Sequence, residues 1–252
     1  MIYKDLVSIV MPLKNGMPFL KETINSIKSQ TYKNWELIIV DSESNDGSIE
    51  LIKKFDDKRI KILQMNLGPG LARNYGIINS KGSYIAFIDS DDLWTKEKLS
   101  LQINDMIFKN SSFSYTNYEL ISSESKPLGK NGHFRNQFSY SDFFSKRNIV
   151  MSSVIVKKEI LKNIRLNDYD GFAEDQYFFG KILQNGIKAS GINKYLLKYR
   201  KHSLSRSKDI LSNQIAVYKL YRNHFDLGFI KTFTSYISYL IDVAIRRIFK
   251  IN

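Results

Sequence analysis

The 252-residue chain contains no cysteine. That absence removes thiol nucleophiles, disulfide bonds and cysteine-ligated zinc, and it fits a reducing compartment. The N-terminus, MIYKDLVSIVMP, lacks a basic stretch leading into an apolar run and a small-residue cleavage site, so no signal peptide is expected. No window of eighteen residues is free of charge, which argues against a membrane-spanning helix. Internal repeats, low-complexity tracts and a linker between free domains are missing as well. Positive charge is in excess: 38 Lys and Arg stand against 25 Asp and Glu, a formal net charge of +13. Such an excess suits a polyanionic partner, whether nucleic acid, an anionic membrane surface or a nucleotide diphosphate. With 43% hydrophobic residues the chain can bury a core, which excludes intrinsic disorder.

The first part of the chain alternates between two periods. LVSIVMPL, WELIIVD, RIKILQ and SYIAFID read as short apolar strands. PFLKETINSIKSQ, SIELIKKF, LARNYGIINS and TKEKLSLQINDMIFKN read as the helices between them, the third only a turn or two long and the fourth capped by Thr95. Strand–helix alternation predicts a mainly parallel sheet covered on both faces. After about residue 110 the rhythm changes to irregular strands, with turn signals at Lys126–Pro127 and Asn131–Gly132. SSVIVKKEIL restores a strand–helix unit, and AEDQYFFGKILQNG reads as a helix closing at Asn185–Gly186. From Ile210 two helical patterns run to the end. The expected organisation is an α/β domain over residues 1–208 and amphipathic helices over 209–252.

Chemistry concentrates where strands end. In YIAFIDSDDLW an apolar strand runs straight into Asp89, Ser90, Asp91 and Asp92. Carboxylates that close repel one another unless a cation sits among them. Ligands of doubly wound sheets bind outside the carboxyl ends of the strands, and Asp41, ending the second strand, faces the same crevice. A solvated turn with a helix cap is the plain alternative, because aspartate favours such places. A calcium loop fits poorly, since its glycine and distal glutamate are missing. A haloacid-dehalogenase-like phosphatase fits poorly too, because Leu93 stands where Thr or Val belongs and the strand is the fourth. NLGPGLARNYGI resembles a dinucleotide fingerprint only weakly, with Arg73 in the place of its third glycine. As a turn delivering Arg73 to the acidic crevice it makes electrostatic sense, since a guanidinium grips phosphate or carboxylate. Glu174 and Asp175 suit the first turn of a helix, where the dipole favours them.

VSIVMPLKNG, LIIVDSESNDGS, GLARNYGI, YIAFIDSDDLW, GFAEDQYFFGKIL and YRKHSLS, in this order over about residues 6–208, resemble the family 2 glycosyltransferases of the GT-A fold, the bacterial surface-polysaccharide kind. The resemblance implies a Rossmann-like nucleotide-binding α/β fold and an inverting glycosyltransferase of the hexosyltransferase class. It implies Mn²⁺ or Mg²⁺ as cofactor, a UDP-sugar as donor, and a glycolipid or polysaccharide as acceptor. Residue by residue, Pro12 and Asn15 match the first nucleotide-contacting loop, and Asp41 matches the aspartate on the uracil base. Arg73 matches the arginine near base and diphosphate. Asp89 matches the carboxylate near the ribose and Asp91 the metal ligand. Glu174 matches a substrate-binding position beside Asp175, the general base. Arg200 and His202 match the segment that reaches the diphosphate or the metal. One departure stands out: the family usually reads Val-Asp-Asp-Gly-Ser after the second strand, and here the run is Val40, Asp41, Ser42, Glu43, Ser44.

Two rival readings remain: a sugar-nucleotide-binding protein without turnover, and a basic nucleic-acid-binding protein. The second lacks both a helix-turn-helix and clustered base-stacking aromatics, so no nucleic-acid partner is expected. The tail beyond residue 210 carries no family motif. In FIKTFTSYISYLIDVAIRRIFKIN, Phe229, Phe233, Tyr236, Ile237, Leu240, Ile241, Ala244, Ile245 and Ile248 share one helical face. That face suits a helix packed on the core or on a partner subunit as a homodimer. It equally suits a helix in the membrane interface, placing a cytoplasmic protein peripherally on the inner face of the cell membrane.

Overall fold

The computed structural model describes residues 5–130, 135–144, 149–164, 173–202, 210–225 and 227–248. The alternating half holds β1 (Val7–Leu13), α1 (Leu20–Lys28), β2 (Trp35–Asp41), α2 (Ser48–Lys53), β3 (Ile60–Gln64), α3 (Pro69–Ile78) and β4 (Tyr84–Phe87). Next come the short β5 (Leu93–Trp94), α4 (Lys98–Phe108), the long β6 (Phe113–Ile121), β7 (Pro127–Lys130), β8 (Gln137–Phe138) and α5 (Tyr140–Phe143). Then β9 (Ile155–Lys157), α6 (Glu174–Gln184), β10 (Ala189–Arg200), α7 (Ile210–Asn223) and α8 (Phe229–Ile248) follow.

The described strands form one sheet in the order β3-β2-β1-β4-β9-β6-β10-β5, with β7 on β6 and β8 on β10. β1 pairs parallel with β2 and β4, β2 with β3, and β6 with β10. β9 runs against both β4 and β6, so the two parallel halves share a direction across it. The expected mainly parallel α/β sheet is what forms.

Its central strands are apolar at nearly every position because both faces are covered. Along β1 the faces alternate. Val7, Ile9, Met11 and Leu13 join α1 and α4 in one core, while Val10 joins the other with α3, α6 and α7. α3 is a full ten-residue helix, longer than its sequence suggested, opened by Pro69 in its first turn. Gly76 lets it lie close on β1, since a Cβ there would meet a Val10 methyl carbon at 2.5 Å. The glycines of the weak dinucleotide-like motif thus include one that serves packing.

Several local expectations change. Thr95 does not cap α4: Glu97 stands at the N-cap and the buried Thr95 hydroxyl has no partner. The Ser-rich stretch after residue 110 contains β6, nine mostly buried residues whose ladders with β10 and β7 carry register shifts. The turn after it closes at Ser122–Lys126, and Pro127 already begins β7. The Asn131–Gly132 signal lies outside the described residues. The helix after β9 is a single 3-10 turn, Lys158–Leu161. α6 ends as expected at Asn185 and Gly186, the glycine at φ 80°.

α7 is part of the main core, where Val217, Leu220 and Tyr221 are buried with Phe143 and Phe178. α8 docks by one margin of the face its periodicity marks. Thr232 and Tyr239 are buried, with Tyr236 and Leu240 packed beside them, whereas Phe229, Phe233, Ile237 and Ile241 are exposed. The apolar arc is wider than one contact face, and only one margin meets the core. The side chains of Ala244, Ile245 and Ile248 lie outside the described residues. Among the described residues, no helix is long and apolar enough to cross a membrane.

Candidate active site

The carboxyl ends of β1, β2 and β4 open on one side, and the loops that follow them are tied together. Asp41, the last residue of β2, is fully buried and accepts the Ser44 N–H at 3.3 Å. Pro12 sits one place before the end of β1, in register with Val40. Asn15 adopts φ 52°, donating its N–H to the Ser44 hydroxyl at 2.8 Å and accepting the Asn45 N–H at 2.9 Å. Asp46 finishes the stitching: its carboxylate takes the Met17 N–H at 2.8 Å and the Ser48 hydroxyl at 2.6 Å. Burial pushes the Asp46 carboxyl up, but these hydrogen bonds outweigh it and hold the group below its ordinary value. The Val-Asp-Ser-Glu-Ser departure also finds its geometry here. Glu43, in the place of the family's glycine, sits at φ 59°, a left-handed conformation that costs a non-glycine residue about 1–2 kcal/mol.

Arg73 joins the two acidic motifs. It lies one turn into α3 with its side chain 6% exposed, donating to Asp89 Oδ1 at 2.6 Å and standing 3.5 Å from Glu174 Oε1. Burial works against its charge. Asp89, Glu174 and Asp175 more than compensate, so the guanidinium is held more firmly protonated than usual. Residues 101 positions apart in sequence, Arg73 and Glu174, thus meet at the mouth of the sheet. The Asp89 N–H is fixed in turn by the Ser152 hydroxyl at 3.0 Å.

Asp91 and His202 form the second pair, with Nε2 and Oδ2 2.8 Å apart and the imidazole packed on the Phe19 ring at 4.8 Å. Burial first, and then the Asp89 charge, push the Asp91 carboxyl up despite His202. Burial beside Asp91 and Asp89 pushes Asp92 up further. Asp89 and Asp91 repel each other in a partly buried site, and a dication beside them would relieve that repulsion. An imidazole beside a carboxylate is a donor pair that a divalent ion accepts, so the chemistry of Asp91 and His202 suits one. Among the described residues no three His, Asp or Glu side chains converge to hold a metal by themselves. A divalent ion held by one or two protein groups would complete its shell with phosphate oxygens and water, as Mg²⁺ sites commonly do.

Asp175 follows Glu174 in the first turn of α6, half-buried, with Oδ1 accepting the Gln176 N–H at 2.7 Å. The turn is entered through Ala173 at φ 74°, an unusual conformation for a residue with a side chain.

Arg200 departs from its expected role. Its side chain is 0% exposed and faces the protein, not the crevice. Nε donates to the Asp91 carbonyl at 2.8 Å, and Nη1 to the carbonyls of Ser122 and Ser123 and the Ser125 hydroxyl. Nη2 meets Glu22 at 2.8 Å, and the guanidinium lies over the Phe19 ring. Its backbone N–H reaches Asp92 at 2.9 Å. Every branch of the guanidinium is spent on the protein, so Arg200 shapes the Asp91 turn in place of reaching for a diphosphate. Glu22, Ser152 and Asp46 were missed in the sequence. Only Asp46 carried a local signal, the Asn-Asp-Gly-Ser turn at the start of α2.

Residues 8–165 match the model of glycosyl transferase family 2. A Bacillus subtilis glycosyltransferase whose name assigns it to teichuronic acid biosynthesis, TuaG, is 30% identical over 98% of this chain and 99% of its own. The Escherichia coli protein WfaP, a UDP-Glc:α-D-GlcNAc-diphosphoundecaprenol β-1,3-glucosyltransferase, is 37% identical over 81% of this chain and 80% of its own. Two solved structures share the fold at a TM-score of 0.71. Staphylococcus aureus TarS 1–349 with UDP-GlcNAc is 20% identical, over 93% of this chain and 71% of its own. A Pyrobaculum calidifontis mannosyltransferase with GDP-Man and Mn²⁺ is 15% identical, over 94% and 70%.

Proposed function

The chain belongs to glycosyl transferase family 2, and from that premise we propose that it is an inverting enzyme moving a sugar from a UDP-sugar to a hydroxyl of a lipid-linked or polysaccharide acceptor. The observation that carries this reading is the convergence of Asp89, Glu174 and Asp175 on Arg73, beside the Asp91–His202 pair, at the carboxyl ends of the strands. The UDP donor and lipid-linked acceptor are supported by WfaP, whose name states both. In this reading Asp41 and the Pro12–Asn15 loop hold the nucleoside, and Asp89 meets the ribose.

In the proposed reaction Asp175 takes the proton from the acceptor hydroxyl. The acceptor oxygen attacks the anomeric carbon from the face opposite the diphosphate, and the bond from that carbon to the diphosphate breaks with its electron pair leaving on UDP. One displacement inverts the anomeric centre and needs no enzyme nucleophile, in keeping with a chain free of cysteine. Arg73, paired with Asp89 and close to Glu174, draws the two acidic motifs together, which in this reading keeps the nucleotide-side and acceptor-side carboxylates in place. Asp91 and His202 would hold a Mn²⁺ or Mg²⁺ ion, which when bound neutralises charge developing on the diphosphate.

The test combines a screen of sugar nucleotides for slow, metal-dependent release of UDP with the variant Asp175→Asn. The variant should keep donor affinity and slow transfer by roughly 10²–10⁴-fold, the usual worth of a positioned base. Lost donor binding with normal turnover would make Asp175 a binding residue. A screen in which no sugar nucleotide is bound or cleaved would overturn the donor assignment.

A further inference from the structure

Seven of the thirteen large apolar side chains exposed among the described residues lie on α7 and α8. Phe229, Phe233, Ile237 and Ile241 recur every fourth residue along α8 with exposures of 70, 56, 39 and 53%. Ile215 and Tyr218 on α7 add 47 and 38%. Scattered exposed hydrophobics are ordinary, but four at successive turns of α8, with two more on the α7 helix packed against it, mark a surface that meets something apolar. Its opposite margin is already used, because Thr232 and Tyr239 are buried against the core. The ridge is therefore not spare core surface awaiting a small adjustment.

Charge narrows the occupant. From residue 210 to the end the sequence carries Lys219, Arg222, Lys231, Arg246, Arg247 and Lys250 against only Asp226 and Asp242. Lys219, Arg222 and Lys231 are exposed. A two-fold pairing of this face with a second copy would set like charges beside each other and oppose association. An anionic bilayer answers both features, taking the apolar ridge into the acyl boundary and the cations at the headgroups. Tyr218 adds an aromatic ring with a polar tip, a side chain that favours that boundary.

We propose that α7 and α8 form a membrane-docking face, lying flat on an anionic lipid surface through the Phe229–Ile241 ridge. The inference rests on the lipid-linked acceptor proposed above, and it names how the enzyme comes within reach of that acceptor. The docking element is the side of α8 turned away from the core, and its strength comes from apolar area and charge together. Neither suffices alone: a few cations give reversible attraction, and a single short ridge gives weak partition.

The experiment is flotation of the full chain with phosphatidylcholine vesicles, with and without phosphatidylglycerol. It compares wild type with the double variant Phe233→Glu, Ile237→Glu and with a second pair, Phe229→Ser, Ile241→Ser. All four positions are exposed, and the thermal midpoint confirms that each variant folds. Wild type should float with the anionic vesicles and lose binding at high salt, and the glutamate pair should bind at least about tenfold more weakly. Equal flotation of wild type and both variants overturns the proposal. A wild-type dimer that the same substitutions convert to monomer also overturns it, and assigns the ridge to a second copy. UDP affinity measured on the same proteins separates the two readings. A wild type that binds UDP but does not float overturns docking alone, and a wild type that floats without binding UDP overturns the donor assignment alone.

Discussion

Arg200→Met removes the guanidinium while keeping an unbranched side chain of similar length over the Phe19 ring. Three backbone carbonyls, those of Asp91, Ser122 and Ser123, lose their donor at 2.8, 3.1 and 3.2 Å. At about 1 kcal/mol net for each such bond, and more where a carbonyl stays buried, these cost about 3 kcal/mol. The Glu22 carboxylate is half exposed (54%) and water replaces its partner, so that ion pair adds only about 1 kcal/mol or less. A loss of about 3–4 kcal/mol leaves most domains folded and lowers the thermal midpoint by roughly 10 °C at this chain length. Glu22→Gln removes only the exposed part and should shift the midpoint by no more than about 3 °C. Function should follow the turn. With the Asp91 carbonyl freed, Asp91 loses its fixed place beside His202, and UDP affinity in Mn²⁺ should fall more than UDP affinity in EDTA. Differential scanning fluorimetry and calorimetric titration of UDP, with and without metal, read both effects. A midpoint drop under about 2 °C, or an equal loss of affinity with and without metal, refutes the reasoning that Arg200 supports the metal-side turn.

Asp91→Asn should abolish the metal dependence of UDP binding and leave the thermal midpoint nearly unchanged, because it removes a ligand charge from a carboxylate already pushed up by burial and by Asp89; metal dependence equal to wild type removes Asp91 from the ion site. Lys98 is fully buried against the Trp94 ring, donating to the Gln102 amide oxygen at 2.6 Å, and burial pushes its ammonium well down. Below the unfolded value of about 10.4 the unfolded chain therefore binds a proton that the folded chain does not, so Lys98 lowers stability progressively as pH falls from there towards its folded value. Lys98→Met should remove that slope, gaining on wild type as pH drops from about 10 to 7 in thermal melts; parallel melting curves would show that Lys98 titrates alike in both states.

The strands and helices of the first half were legible because each buries one stripe or two faces, and burial imprints a period on the residues. The acidic strand ends at Asp41 and Asp89 were legible for a related reason. A carboxylate that ends an apolar run marks where the strand meets a polar site, and in a parallel sheet all such ends face one crevice. Arg73 could be aimed at that crevice from its place after the third strand. Partners distant in sequence could not be read. Nothing local tells Arg200 that Glu22, 178 positions away, and the Ser122–Ser125 turn will surround it. Nor does the 3.6-residue period of α8 say which margin of its apolar arc meets the core. Sequence periodicity records how much of a helix avoids water, and α8 has more such surface than its neighbours cover. The direction of a side chain at a strand end, or of one margin of a helix, is set by what packs next to it. Those neighbours come from remote parts of the chain, so only the folded structure decides them.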